Sequence, residues 1–119
     1  MKIAITAQGK TLDAPVDPRF GRAPGFIVFD TDAKTFEYIE NTQNMQAAQG
    51  AGIQSGRRIA DTGADAVLTG HVGPKAFTTL QAAGVKIYSG VSGTVQNAVD
   101  QFLAGNLKET RDADVSGHW

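Results

Sequence analysis

The sequence predicts a three-layer α/β domain, a mixed five-stranded sheet with helices on both faces in the order βββαβαβα. Three observations carry this. Three strand-like runs come first, the last two separated only by a short turn. The rest of the chain alternates strand-like and helical segments, each helical segment closed by a glycine. Such β-α-β-α units require parallel pairing through right-handed crossovers, whereas the hairpin requires antiparallel pairing. A mixed sheet covered by helices satisfies both demands.

The first strand is the β-branched, apolar run from Lys2 to Ala7. A long loop follows, from Gln8 to Pro24, holding three of the four prolines. A loop of that length in a small domain is usually functional or disordered. Its Asp17–Pro24 section combines two arginines, an aromatic ring and prolines, so it is expected to be ordered and exposed. Gly25–Asp30 is a near-continuous apolar strand, and Thr31–Lys34 has turn chemistry, because Asp side chains hydrogen-bond their own backbone. Thr35–Glu40 alternates polar and apolar residues, as a half-solvated strand at a sheet edge does.

Asn41–Gln49 is amide-rich and contains Met45, a soft metal ligand in principle. After Gly50-Ala51-Gly52, a helix is expected from Ile53 to Thr62, with Ile53, Arg57 and Ala60 on one face and Gly56 allowing close packing. Gly63 stops it. Ala64–Leu68 reads as a buried strand. Pro74, suited to a first helical position, opens a helix over 74–83 that ends at Gly84. Val85–Tyr88 is the last strand. Thr94 then N-caps a helix whose Val95, Ala98, Val99, Phe102 and Leu103 form an apolar stripe, closed by Gly105. The expected domain is 1–107, and 108–119 is an irregular tail with one aromatic anchor, Trp119.

With 119 residues the chain has the size of one domain. A net charge of −1 gives no global attraction to nucleic acid or anionic membrane. No apolar run approaches the roughly 20 residues that span a bilayer, and the start lacks a signal-peptide core, so a cytoplasmic location is expected. There is no cysteine, which excludes disulfides and thiolate-held clusters within the chain.

In open α/β sheets ligands bind beyond the carboxyl ends of the parallel strands. That rule brings the loops Gln8–Pro24, Thr69–Gly73 and Ser89–Gly93 to one rim, with the Gly50-Ala51-Gly52 helix start beside them. His71 stands on a turn flanked by Gly70 and Gly73, just before a helix N-terminus. It reads either as an exposed loop residue or as a metal ligand or proton donor to an anion. Gly50 and Gly52 form a short G-x-G whose N–H groups could face an anion, although the full dinucleotide fingerprint is missing. Arg19 and Arg22 either pair with Asp17 and other carboxylates or grip an anionic ligand. His118 belongs to the tail unless Trp119 returns it to the rim as a second ligand. No nucleophile elbow and no paired catalytic carboxylates are evident.

The series Arg19-Phe20-Gly21-Arg22-Ala23-Pro24, Phe26, Gly50-Ala51-Gly52, Gly70-His71-Val72-Gly73-Pro74-Lys75-Ala76-Phe77 and Leu80 resembles the dinitrogenase iron–molybdenum cofactor-binding family. The likeness runs from Met1 to about Leu107. It implies a ribonuclease H-like fold and non-catalytic binding or carriage of an iron–sulfur or molybdenum–iron–sulfur cluster. In related carriers a histidine holds the cluster, and His71 matches that role by position. One small relative holds a molybdenum–copper–sulfide cluster with no covalent protein ligand. Many relatives have a cysteine near the position of Val72, and this chain has none.

The expected site therefore comprises His71 and His118 toward metal, with Arg19, Arg22, Gly50, Gly52, Gly70 and Gly73 around the cluster. The expected partners are metal-cofactor biosynthesis or acceptor proteins, with no nucleic acid and no membrane, and the chain is expected to be a monomer or weak oligomer. Two other readings stand beside this one. A metal-dependent phosphoryl hydrolase of ribonuclease H type would need Asp30 or Asp65 to converge with another carboxylate. A protein-interaction module would use the arginine–aromatic loop.

Overall fold

A computed structural model describes residues 1–41 and 50–111. Along the chain lie β1 (Lys2–Ala7), β2 (Gly25–Asp30), β3 (Thr35–Glu40), α1 (Ala51–Asp61), β4 (Ala66–Leu68), α2 (Pro74–Ala82), β5 (Lys86–Tyr88) and α3 (Val95–Leu103). The strands form one sheet in the order β3-β2-β1-β4-β5. β2 is antiparallel to β1 and to β3, while β4 is parallel to β1 and to β5. The fold is thus α/β, with a mixed five-stranded sheet and three helices among the described residues.

Strand alternation divides the core in two. Ala4, Phe26, Val28, Val67 and Ile87 point to one face, beneath Ile59 of α1 and Ala76, Phe77 and Leu80 of α2. Ile3, Ile5, Ile27, Phe29 and Leu68 point to the other, beneath Val95, Ala98 and Val99 of α3. Helices therefore cover both faces. Each fully buried Ile, Leu or Phe contributes about 1.5–3 kcal/mol relative to exposure.

Two sequence expectations shift. The inner face of α1 is Ala51, Gly52, Ser55, Gly56 and Ile59, not the row Ile53, Arg57 and Ala60. Small residues lie inward because α1 packs closely on α2: a Cβ on Gly56 would come 3.0 Å from Thr79 Cγ2. Leu103 belongs to the apolar stripe of α3 by spacing but is 48% exposed, at the flank of the packed face. The described residues after α3 lack regular structure and run against the sheet. Leu107 packs on the second core, the Thr110 N–H donates to Ile87 O, and the Ser89 N–H donates to Thr110 Oγ1 at 2.9 Å. The chain thereby covers part of the β5 edge. Met45 and Trp119 lie outside the described residues.

Candidate functional site

Because β2 alone runs against the others, β1, β3, β4 and β5 all end at the same rim of the sheet. The helices that follow β4 and β5 start there, and so does α1, which returns the chain from the rim to the start of β4. Helix N-termini carry partial positive charge. Those of α1 and α2 have glycine N-caps, Gly50 and Gly73, with no side-chain cap and no acidic residue in the first turn. The start of α3 is different. The Val95 and Gln96 N–H groups donate to Ala14 O and Leu12 O, and the Asn97 N–H donates to Thr94 Oγ1. The long loop and Thr94 together satisfy its first donors.

The loop then crosses the rim as a fixed strap. The Val16 N–H donates to Gly93 O and the Asp17 N–H to Thr6 O. The Thr6 hydroxyl donates to Asp17 O at 2.8 Å and lies 2.9 Å from Thr69 Oγ1. Next, the His71 N–H donates to Pro18 O (2.8 Å) and the Phe20 N–H to His71 O (3.1 Å), pairing Arg19 with His71 in a parallel bridge. Ladder partners share a face, so these two side chains leave the backbone on the same side. Gly70 makes the approach possible, because a Cβ there would come 2.6 Å from Pro18 Cα and from Pro18 O. The Phe20 ring is fully buried and packs against Phe26 at 5.8 Å between centroids.

A second fastening holds the other end of the strap. Asn41 donates from its backbone to Pro24 O and from Nδ2 to Ala23 O at 2.9 Å. Asn41 Nδ2 also reaches Ser55 Oγ at 3.1 Å, which brings α1 against Gly21. The buried polar and charged residues among those described are Thr6, Asp17, Asn41, Ser55 and Thr69. All of them lie in these two fastenings. Buried polar groups of this kind must be hydrogen-bonded, and once paired they make the local geometry unique.

Of the residues expected at the site, Arg19 and His71 come together in the bridge, and Arg22 lies further along the strap. His71 is exposed and Arg22 half-buried. Arg19 Nε lies 3.7 Å from Asp17 Oδ1, so one alternative reading of that arginine holds. Gly50 adopts a left-handed φ of 79° at the start of α1, and Gly52 is buried in its first turn. Gly70 and Gly73 are buried as well, Gly70 for the packing reason above. His118 lies outside the described residues. Val72 is fully buried in the first core.

Asp30 and Asp65 sit at the opposite end of the sheet. The Asp30 carboxylate accepts the Asp32 and Ala33 N–H groups, which hold its pKa below the usual carboxylate value. Asp65 accepts the Lys2 N–H. The amino terminus nearby pairs with Asp32 at 2.9 Å, and this hydrogen bond raises its pKa. No group of three His, Cys, Asp or Glu among the described residues is placed to hold a metal ion.

Residue spacing did not reveal the partners Thr6, Thr69, Asn41 and Ser55. The available signal was polarity in apolar positions, such as Thr6 within Ile3–Ala7 and Thr69 directly after Val67-Leu68.

Residues 1–105 match the family described as dinitrogenase iron-molybdenum cofactor. An uncharacterized protein of Methanocaldococcus jannaschii is 30% identical over 112 residues, covering 92% of this chain and 91% of that one. The apo form of the orange protein from Desulfovibrio gigas superposes with a TM-score of 0.94 at 44% identity, over 96% of each chain. The solution structure of a Thermotoga protein described as a candidate NifB aligns at 0.82 and 39% identity, over 96% of this chain and 98% of that one.

Proposed function

Since the chain belongs to the dinitrogenase iron-molybdenum cofactor family, we propose that it holds and carries a preformed anionic metal–sulfide cluster, of the iron–sulfur or molybdenum–iron–sulfur kind, at the carboxyl rim of its sheet. The cluster is cargo, and the chain performs no catalysis on it. The observation that carries this reading is the strap, a loop fastened at both ends that sets Arg19 beside His71. A loop fixed by buried side-chain hydrogen bonds presents cations with little ordering left to lose on binding.

Arg19 and Arg22 supply charge, and His71 ligates a metal or donates to a sulfide. The starts of α1 and α2, whose glycine N-caps offer no side-chain acceptor, add positive potential from the same end. Charge-assisted hydrogen bonds are worth about 1.5–3 kcal/mol each, so a few hold a compact polyanion without a covalent bond. The absence of cysteine suits such a hold, since a thiolate would resist release. The ribonuclease H-like designation fits the layered mixed sheet. A cytoplasmic site of action and transfer to cofactor-assembly or acceptor proteins complete the reading. No described helix is long and apolar enough to cross a membrane.

Anaerobic titration with a synthetic molybdenum–iron–sulfur cluster tests it. Wild type is expected to bind at least tenfold more tightly than His71→Ala. Equal, weak binding by both would remove the ligand role from His71.

A further inference from the structure

Asp17 is the one charged side chain among the buried described residues, 2% exposed. Its Oδ1 accepts the Arg19 N–H at 2.8 Å, a turn that an asparagine or serine oxygen would make equally well. The backbone therefore needs an acceptor at this position but not a charge. The charge itself faces Arg19, whose Nε lies 3.7 Å away, within ion-pair range and beyond a hydrogen bond. Arg19 is in turn locked to His71 by the bridge across the rim. Burying a carboxylate is unfavourable unless it is paired, and the partner of this one is the arginine that faces the rim.

We propose that Asp17 is a built-in counter-anion. It occupies Arg19 when the rim is empty and weakens the hold on an arriving anion, so that cargo is released rather than retained. The inference rests on reading the rim as an anion-holding site. An anion that reaches Arg19 must share the guanidinium with Asp17 and approach a fixed negative charge. Removing that charge while keeping the acceptor is expected to tighten binding, and the gain is expected to require Arg19.

The experiment titrates tetrathiomolybdate, a coloured molybdenum–sulfide dianion, into wild type, Asp17→Asn, Arg19→Gln and the double variant. The Arg19 Nε–H resonance is followed in parallel. Asp17→Ser, which also supplies an oxygen acceptor, serves as a second neutral variant if Asp17→Asn does not fold. The neutral variants are expected to bind about two- to fivefold more tightly than wild type, the range set by a partly exposed ion pair. In the Arg19→Gln background the gain is expected to vanish, as a pairwise coupling requires. Binding that is unchanged or weaker in both neutral variants would overturn the role of Asp17 and leave the anion site standing. A gain that persists without Arg19 would overturn it too. No binding of the dianion by any variant would overturn both the counter-anion and the anion-holding rim.

Discussion

The two ends of the sheet treat polar side chains in opposite ways. At the carboxyl rim, Thr6, Asp17, Asn41, Ser55 and Thr69 are buried and tie loop backbone to strands and to α1. At the opposite end, Met1, Asp32 and Asp65 are exposed, and their contacts are surface hydrogen bonds and one ion pair. Buried pairs cannot be exchanged for water, whereas exposed ones can. One end thus holds a single geometry, and the other leaves its polar groups to solvent. This contrast is what favours the carboxyl rim as the proposed site.

The largest effect is expected for Gly70→Ala. Its Cβ would meet Pro18 backbone, which cannot swing aside as a side chain can. Overpacking of this kind is destabilising by about 1–3 kcal/mol, and the upper end is expected here from urea denaturation. Asn41→Ala comes next. It strands Ala23 O in a buried setting and leaves Ser55 Oγ with its long contact to Gly21 O, for an expected loss of about 2 kcal/mol. The same variant is expected to broaden the Arg19–Ala23 amide resonances, which would show that the fastening also orders the strap. Thr94→Ala removes the cap of α3 and is expected to lower stability by about 1 kcal/mol, with no change in cluster affinity.

The smallest effects belong to the far end. Asp32→Ala exposes an amino terminus already in solvent and is expected to leave the melting temperature unchanged within error. Asp30 adds a pH signature. Its folded pKa lies below its unfolded value, so its contribution is complete above about pH 4 and fades as pH falls through the folded value. Asp30→Ala is expected to flatten that acid limb of the stability profile and to leave anion binding untouched. A rim variant that left stability unchanged, or a far-end variant that unfolded the chain, would erase the contrast.

Much of this arrangement was legible in the residues. β1, β2 and β3 were readable to their ends because each is bounded by turn chemistry, such as Thr31–Lys34, where hydrophobic alternation stops. Thr94 and Gly105 bounded α3 for the same reason. The inner face of α1 was not readable, because its packing selects small residues that carry no hydrophobic signal. At the site, Arg19 and His71 were visible as separate motifs, but the bridge between them links residues 52 positions apart and leaves no local trace. Gly70 is expected in the sequence as a tight bend beside the cluster, and its close passage by Pro18 is disclosed only by the folded chain.

The central claim is that an anionic cluster sits at the fastened rim, and an amide chemical-shift map of the protein titrated anaerobically with tetrathiomolybdate tests it most directly. The expected result is saturable perturbation confined to residues 17–24, 50–53 and 69–75, with Asp30, Asp32 and Asp65 silent. Perturbation centred on the far end, or none anywhere at millimolar dianion, would contradict it.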